Sequence, residues 1–164
     1  RVSRTGKMRI VELAHSSCRA LGRRCRLDRM TTGDINSRQD IERLVDQFYS
    51  VAMSDAVIGH HFAAMDLAAH APVMCDFWEK AIFGRPVYFG NPLIVHQTLD
   101  AKVRMEPGHF VRWVEIFVEA VDGLFSGENA DRAKLRARMV ADSINQRLNE
   151  EHRLTELDIH GRAY

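Results

Sequence analysis

The sequence predicts an all-α domain. Three observations predict it: apolar residues recur at three- and four-residue steps in separate segments, those segments begin and end at recognisable caps and breakers, and no alternating strand pattern of useful length interrupts them. At 164 residues the chain holds one domain with a single sizeable core, plus its ends.

The first helix follows from Ser37-Arg38-Gln39-Asp40, an N-cap with an acid three residues on, after which Ile41, Leu44, Val45, Phe48 and Ala52 fall on one stripe. Gly59 and the corner His60-His61-Phe62 interrupt it. A second apolar-faced segment runs through Met74, Phe77, Trp78, Ala81 and Ile82 until Gly84 and Pro86 stop it. From Gly84 to Pro92, two prolines and two glycines in nine residues describe a loop. Leu93 to Leu99 has room for about two helical turns, and His96 stands on it. Pro107 suits the first turn of the next helix, where its missing N–H costs nothing, and Phe110, Trp113, Val114, Phe117, Val121 and Leu124 then form one stripe. A last helix follows from Ala130 through Met139, Val140, Ile144 and Leu148. Residues 151–164 read as a polar tail. The chain carries no internal repeat and no low-complexity tract.

The formal charge of +1 hides a split: residues 1–30 hold nine Lys or Arg against two acids, and residues 31–164 hold fourteen against twenty. A mildly acidic main domain argues against a nucleic-acid surface, which needs a clustered positive field. No apolar run reaches the roughly 18–20 residues that cross a bilayer, so neither nucleic acid nor membrane is an expected partner and a cytoplasmic location is expected. Residues 1–34 read as a basic extension outside the fold: a transit-like leader, a flexible arm, or sequence upstream of Met30. The rival is a basic helix on a membrane or nucleic acid, with Ile10, Leu13, Cys18 and Leu21 as its apolar stripe. Cys18, Cys25 and Cys75 form no C-x-x-C pair, which excludes a zinc knuckle and a disulfide framework. Cys75, among Met74, Phe77 and Trp78, reads as core filler.

His96 shares the chain with Phe48-Tyr49, Phe62, His70, Phe77-Trp78 and Trp113. A haem asks a protein for one neutral imidazole, an apolar slot, and a few hydrogen-bond donors on the opposite side. His96 is the candidate metal ligand, with its second ring nitrogen expected to donate to a nearby carbonyl and so fix the tautomer. Leu93, Leu99 and Phe62 are the candidates to press on the porphyrin. Without a C-x-x-C-H run the haem is haem b, held by coordination and packing alone. Tyr49, His70 and Trp113 are the candidate distal donors, each with an N–H or O–H on a largely apolar body. Each good hydrogen bond to a ligand contributes about 0.5–3 kcal/mol, so two or three imply slow oxygen release. Taken singly, His96 reads as a surface or satisfied histidine, and Tyr49 and Trp113 as core residues whose polar tips find a carbonyl. His60, His61, His109, His152 and His160 read as non-ligands, with His60-His61 left open as a contact to a haem edge or propionate. The spacings 60/61, 70, 96 and 109 match no closed Cys/His pattern, so no zinc site is expected.

The order and spacing of these residues resemble the group III truncated haemoglobins. The matching pieces are Phe48-Tyr49 with Val51 and Asp55; Ile58-Gly59 with Phe62; His70 eight residues before Trp78 in Cys75-Asp76-Phe77-Trp78; Gly90-Asn91-Pro92 leading to His96 and Leu99; and His109-Phe110 with Trp113, Ile116 and Phe117. They extend over residues 38–149. The resemblance implies a truncated globin, a two-on-two helical sandwich around haem, formed by residues 35–150. His96 would be the proximal iron ligand, Tyr49, His70 and Trp113 the distal cavity, and Phe62, Phe77, Trp78, Leu93, Leu99 and Phe117 the haem packing. The implied function is reversible binding of O2, NO or CO in oxygen transport, redox protection or sensing, by a monomer or weak dimer. The alternative is a haem enzyme, peroxidase-like or nitric-oxide-oxidising, in which Tyr49 and Trp113 stabilise developing charge and a reductase is the partner. A haem-free helical interaction module is a third reading. The Gly-Gly hinges of another truncated group are missing, which agrees with group III. Two positions depart from the pattern. Leu67 stands where the family often has an aromatic, and Pro72 clashes with the carbonyl four residues back unless the helix starts there. That leaves His70 as a swinging gate, an outward side chain or a donor.

Overall fold

Ser37 starts the first helix, α1 (Arg38–Ala52), through a reciprocal cap. Its hydroxyl accepts from the Asp40 N–H at 3.2 Å, and the Asp40 carboxylate accepts from the Ser37 N–H at 3.0 Å. The computed structural model describes residues 32–161, with side chains except at 151 and 155–161. The expected basic extension, with Cys18 and Cys25, therefore lies outside the described residues up to Thr31. Thr32 to Asp34, assigned to that extension by the sequence, belong to the fold instead.

After α1 the chain turns on Asp55, whose carboxylate accepts from the N–H groups of Val57 and Ile58 at 2.9 and 3.1 Å. A short 3₁₀ turn follows at Gly59–Phe62. Gly59 is needed there because a Cβ would come within 2.8 Å of the Met53 carbonyl oxygen. Helix α2 (Leu67–Phe83) is capped by Asp66 and ends at Gly84, whose left-handed φ of 73° suits a residue without a Cβ. Helix α3 (Pro92–Asp100) starts with Asn91 accepting from the Leu93 N–H at 3.0 Å. Its nine residues agree with the two-turn expectation. Helix α4 (Pro107–Leu124) has Pro107 in its first turn and buries Ile116, Phe117, Ala120 and Val121.

The last helix, α5 (Glu128–Gly161), starts two residues before the expected Ala130 because its cap comes from elsewhere in the chain. The Asp34 carboxylate accepts from the N–H groups of Asn129 and Ala130, both at 2.9 Å. At the other end the expected tail is helical as far as Gly161, since no glycine or proline occurs between Gly127 and that residue.

Helix α1 packs on α2 and α4, and α5 packs on α4 and α2, which makes two facing pairs. The two-on-two sandwich expected from the sequence is thus observed, and no strand occurs among the described residues. Helix α3 rests on α5, through Leu93 against a satellite cluster of Met105, Ile144 and Leu148. Glu79 on α2 is a buried acid, and it is paired: Arg38 of α1 and Arg85 each donate to it at 2.8 Å, which ties α1 to α2. Cys75 is buried and free, as core filler would be. No helix among the described residues is long and apolar enough to cross a membrane.

Candidate functional site

One wall of the site is an aromatic stack spanning three helices. Trp78 of α2 lies on Phe117 of α4 with ring centres 4.3 Å apart, and Trp113, one turn before Phe117, lies parallel to it at 5.4 Å. Phe48 of α1 meets Trp113 and Tyr49 edge-on at 5.4 and 4.9 Å. Such offset and edge contacts suit the ring quadrupoles and fix the rings in place. Trp78 and Phe117 are each only 1% exposed, so they retain almost no surface for a ligand. They fill the core beside Trp113 and support its ring. Phe77 is half-buried between Trp78 and Tyr88, at 5.1 and 5.4 Å.

Tyr49 is buried, which pushes its phenol well above the usual range, and its hydroxyl lies 2.9 Å from Nε2 of His70. Phe62 meets the Tyr49 ring edge-on at 5.8 Å. Helix α2 begins at Leu67, five residues before Pro72, so the proline falls in the second turn and His70 in the first. His70 points inward to Tyr49, not outward. Burial lowers its pKa, and the charge His96 would carry if protonated lowers it further. His70 is therefore held neutral, and His96 is close enough to be felt.

On α3, Nδ1 of His96 lies 2.7 Å from the carbonyl oxygen of Pro92. A carbonyl only accepts, so Nδ1 carries the hydrogen and Nε2 keeps its lone pair. Burial lowers the pKa of His96, partly opposed by that hydrogen bond. Nε2 has no protein partner among the described residues, and neither has Nε1 of Trp113. Both tips keep some accessible surface, since every fully buried side-chain nitrogen or oxygen among the described residues is hydrogen-bonded. Leu93 and Leu99 lie three residues to either side of His96 and share its side of the helix. Leu99 keeps 38% of its surface exposed. A neutral imidazole with its hydrogen pinned away, apolar neighbours, and polar tips on other helices are the donor set that haem iron requires.

Two further arrangements were missed by sequence reasoning. Asp100, buried at the end of α3, accepts from the Met105 N–H at 2.6 Å and pairs with Nε2 of His152 on α5. His152 lies in the segment read as a tail, and only the unbroken run of helix formers around it signalled otherwise. His60, His61 and His109, read singly as non-ligands, stand together: Nε2 of His61 is 3.0 Å from Nδ1 of His109, and the His60 and His61 ring centres are 4.0 Å apart. Burial, then the neighbouring histidines, push the pKa of His61 down to about 4. The signal available was the adjacent pair at a corner, with a third histidine on the first turn of a helix.

The fold is that of a truncated haemoglobin. It is similar to the crystal structure of group III truncated hemoglobin from Campylobacter jejuni, with a TM-score of 0.62 and 24% sequence identity, over 69% of this chain and 91% of that one. No protein-family model and no curated protein matches the chain.

Proposed function

We propose that this chain is a haem-binding globin of the group III truncated type, holding haem b without a covalent link and binding a diatomic gas at its iron. The observation that carries this reading is the His96 imidazole, oriented by the Pro92 carbonyl with Nε2 unpartnered and open. Nε2 of His96 would hold the iron, and its pinned tautomer keeps the lone pair available without a change of protonation. When bound, haem supplies an iron with a coordination position for O2, NO or CO. Phe62, Leu93 and Leu99 would exclude water from the ring, while Trp78 and Phe117 keep Trp113 in place.

Trp113 has its indole N–H free to donate, whereas Tyr49 depends on His70. With the hydrogen on Nε2, His70 donates to the Tyr49 oxygen and leaves the phenolic O–H free for a ligand. With the hydrogen on Nδ1, Tyr49 donates to His70 and offers a ligand only its oxygen. The tautomer of His70 thus sets what Tyr49 can do. This pairing also favours the enzymatic reading as a second possibility, because a neutral imidazole beside the cavity can take and return a proton.

Spectra of the protein as purified, after dithionite reduction and after exposure to carbon monoxide test the proposal. A Soret band that shifts at each step is expected. A colourless protein whose added haemin keeps the spectrum of free haemin would sink it. Sustained consumption of peroxide or nitric oxide with a reductase present would favour the enzyme over the binding protein.

A further inference from the structure

We propose that His60, His61 and His109 form a second metal site, independent of haem, that takes one divalent first-row transition ion, with zinc or copper(II) as the fitting chemistry. One ring nitrogen from each of the three lies within 4.8 Å of those of the other two. Two nitrogens on a tetrahedral zinc, with bonds near 2.0–2.1 Å, stand about 3.3 Å apart, so the cluster needs only a small closure. His60 and His61 come from the 3₁₀ turn and His109 from the first turn of α4. Nε and Nη2 of Arg112 both donate to one carboxylate oxygen of Asp55 at 3.0 Å, which ties α4 to the chain just before the 3₁₀ turn. The site is therefore assembled by the fold and not by one mobile segment. His60 is exposed and the other two are half-buried, which leaves the ion a path in and a coordination position open to solvent.

The hydrogen positions follow from the donors. Nδ1 of His109 accepts from the Glu106 backbone N–H at 3.1 Å, so it carries no hydrogen and His61 must be the donor in their 3.0 Å contact. On binding, the ion takes the place of that shared hydrogen. The His61 proton moves to Nδ1 of the same ring through solvent, and no net charge is lost from the imidazole. The start of α4 is the positive end of a helix and opposes a cation. The carboxylate of Asp100, whose charge is felt at His61, acts in the other direction. Three neutral nitrogens with no thiolate or carboxylate suit zinc and copper(II) over magnesium or calcium, which prefer oxygen.

Zinc titrated calorimetrically into the full chain loaded with haemin, and into the His96→Ala variant without it, tests the assignment. One zinc per chain is expected in both, with magnesium giving no heat. His60→Ala removes an exposed side chain that makes no hydrogen bond, and it should weaken zinc binding by about 100-fold or more, beyond the loss that outer-shell changes cause. His61→Ala should do the same. Copper(II) bound to the full chain should show hyperfine splitting from three nitrogens by electron paramagnetic resonance, which reads His109 without a substitution at the start of α4. Zinc that binds only when His96 is present, zinc affinity unchanged in His60→Ala, or a copper signal from fewer nitrogens would each overturn the site.

Discussion

The two walls of the candidate site are built differently. The wall on α1, α2 and α4 is continuous with the protein core: Phe48, Tyr49, Trp78 and Phe117 are buried, and Trp113 is stacked on them. The wall on α3 has little core of its own. Asp100 is its one buried residue, Ile94 and Val95 are 59% and 51% exposed, and Phe89 in the preceding loop is 86% exposed. Helix α3 is held mainly at its ends, by Asn91 at the start and by Asp100 with His152 at the finish. The aromatic side therefore stands on the core by itself, whereas the side with His96 would gain apolar burial if the proposed cofactor lay against it.

The sharpest way to break this comparison is to remove the one residue through which the α3 wall would grip a cofactor. His96→Ala should lose haem completely, seen as the absence of a Soret band after purification in excess haemin. Retention of the full band would transfer the ligand's role elsewhere. Haem removal should then separate the walls. Amide hydrogen exchange in 84–103 should speed up strongly in the haem-free protein, while α1 and α4 stay protected, because little apolar contact holds the first region. Equal acceleration in both regions would mean that the aromatic wall is not preformed.

The opposite wall should respond in stability. Phe117→Ala removes a fully buried ring from the middle of the stack and should cost about 3–5 kcal/mol in denaturant unfolding of the haem-free protein. A cost near that of a surface substitution would show the stack to be loose. By contrast, Tyr49→Phe keeps the ring and removes only the hydroxyl, so haem should be retained. Loss of one hydrogen bond of about 1.4 kcal/mol should speed oxygen release about tenfold, measured by stopped flow. His70→Ala should change that rate too, and the double variant should fall short of the sum, since the two side chains share one hydrogen bond.

The aromatic wall was the more legible in sequence. Ser37 with Asp40, the stripe from Ile41 to Ala52 and the stripe from Phe110 to Leu124 each state a helix and its buried face within one local window. His96 on a two-turn helix after Asn91-Pro92 was legible for the same reason. For Trp78 and Phe117 apolar periodicity named the buried face but not the layer, and the family resemblance alone set them against haem; the packing shows them buried in the stack with Trp113. Pro72 misled in the other direction: α2 starts at Leu67 and carries the proline in its second turn, a placement that the local steric rule disfavours. The caps and pairs of long sequence separation left no local trace at all: Asp34 on α5, Asp55 with Arg112, and His152 on Asp100.

The smallest expected effect is in pH, and it comes from three partly buried histidines. His61, His70 and His96 all have pKa values lowered in the fold, chiefly by burial, and His61 reaches about 4. In the unfolded chain each returns to about 6.5. Between those values the unfolded chain binds protons that the folded one does not, so stability rises with pH in this window and falls as pH drops from about 6.5 toward 4. All three rings are partly open to solvent, which keeps the slope shallow. Melting temperatures of the haem-free protein across that range should show the decline, and His61→Gln should flatten it. A haem-loaded sample should go on losing stability further into the acid part of the window, because an iron at Nε2 of His96 excludes from the folded protein a proton that the unfolded chain still binds. Identical slopes with and without haem would separate that nitrogen from the iron, and with it the grip assigned to the α3 wall.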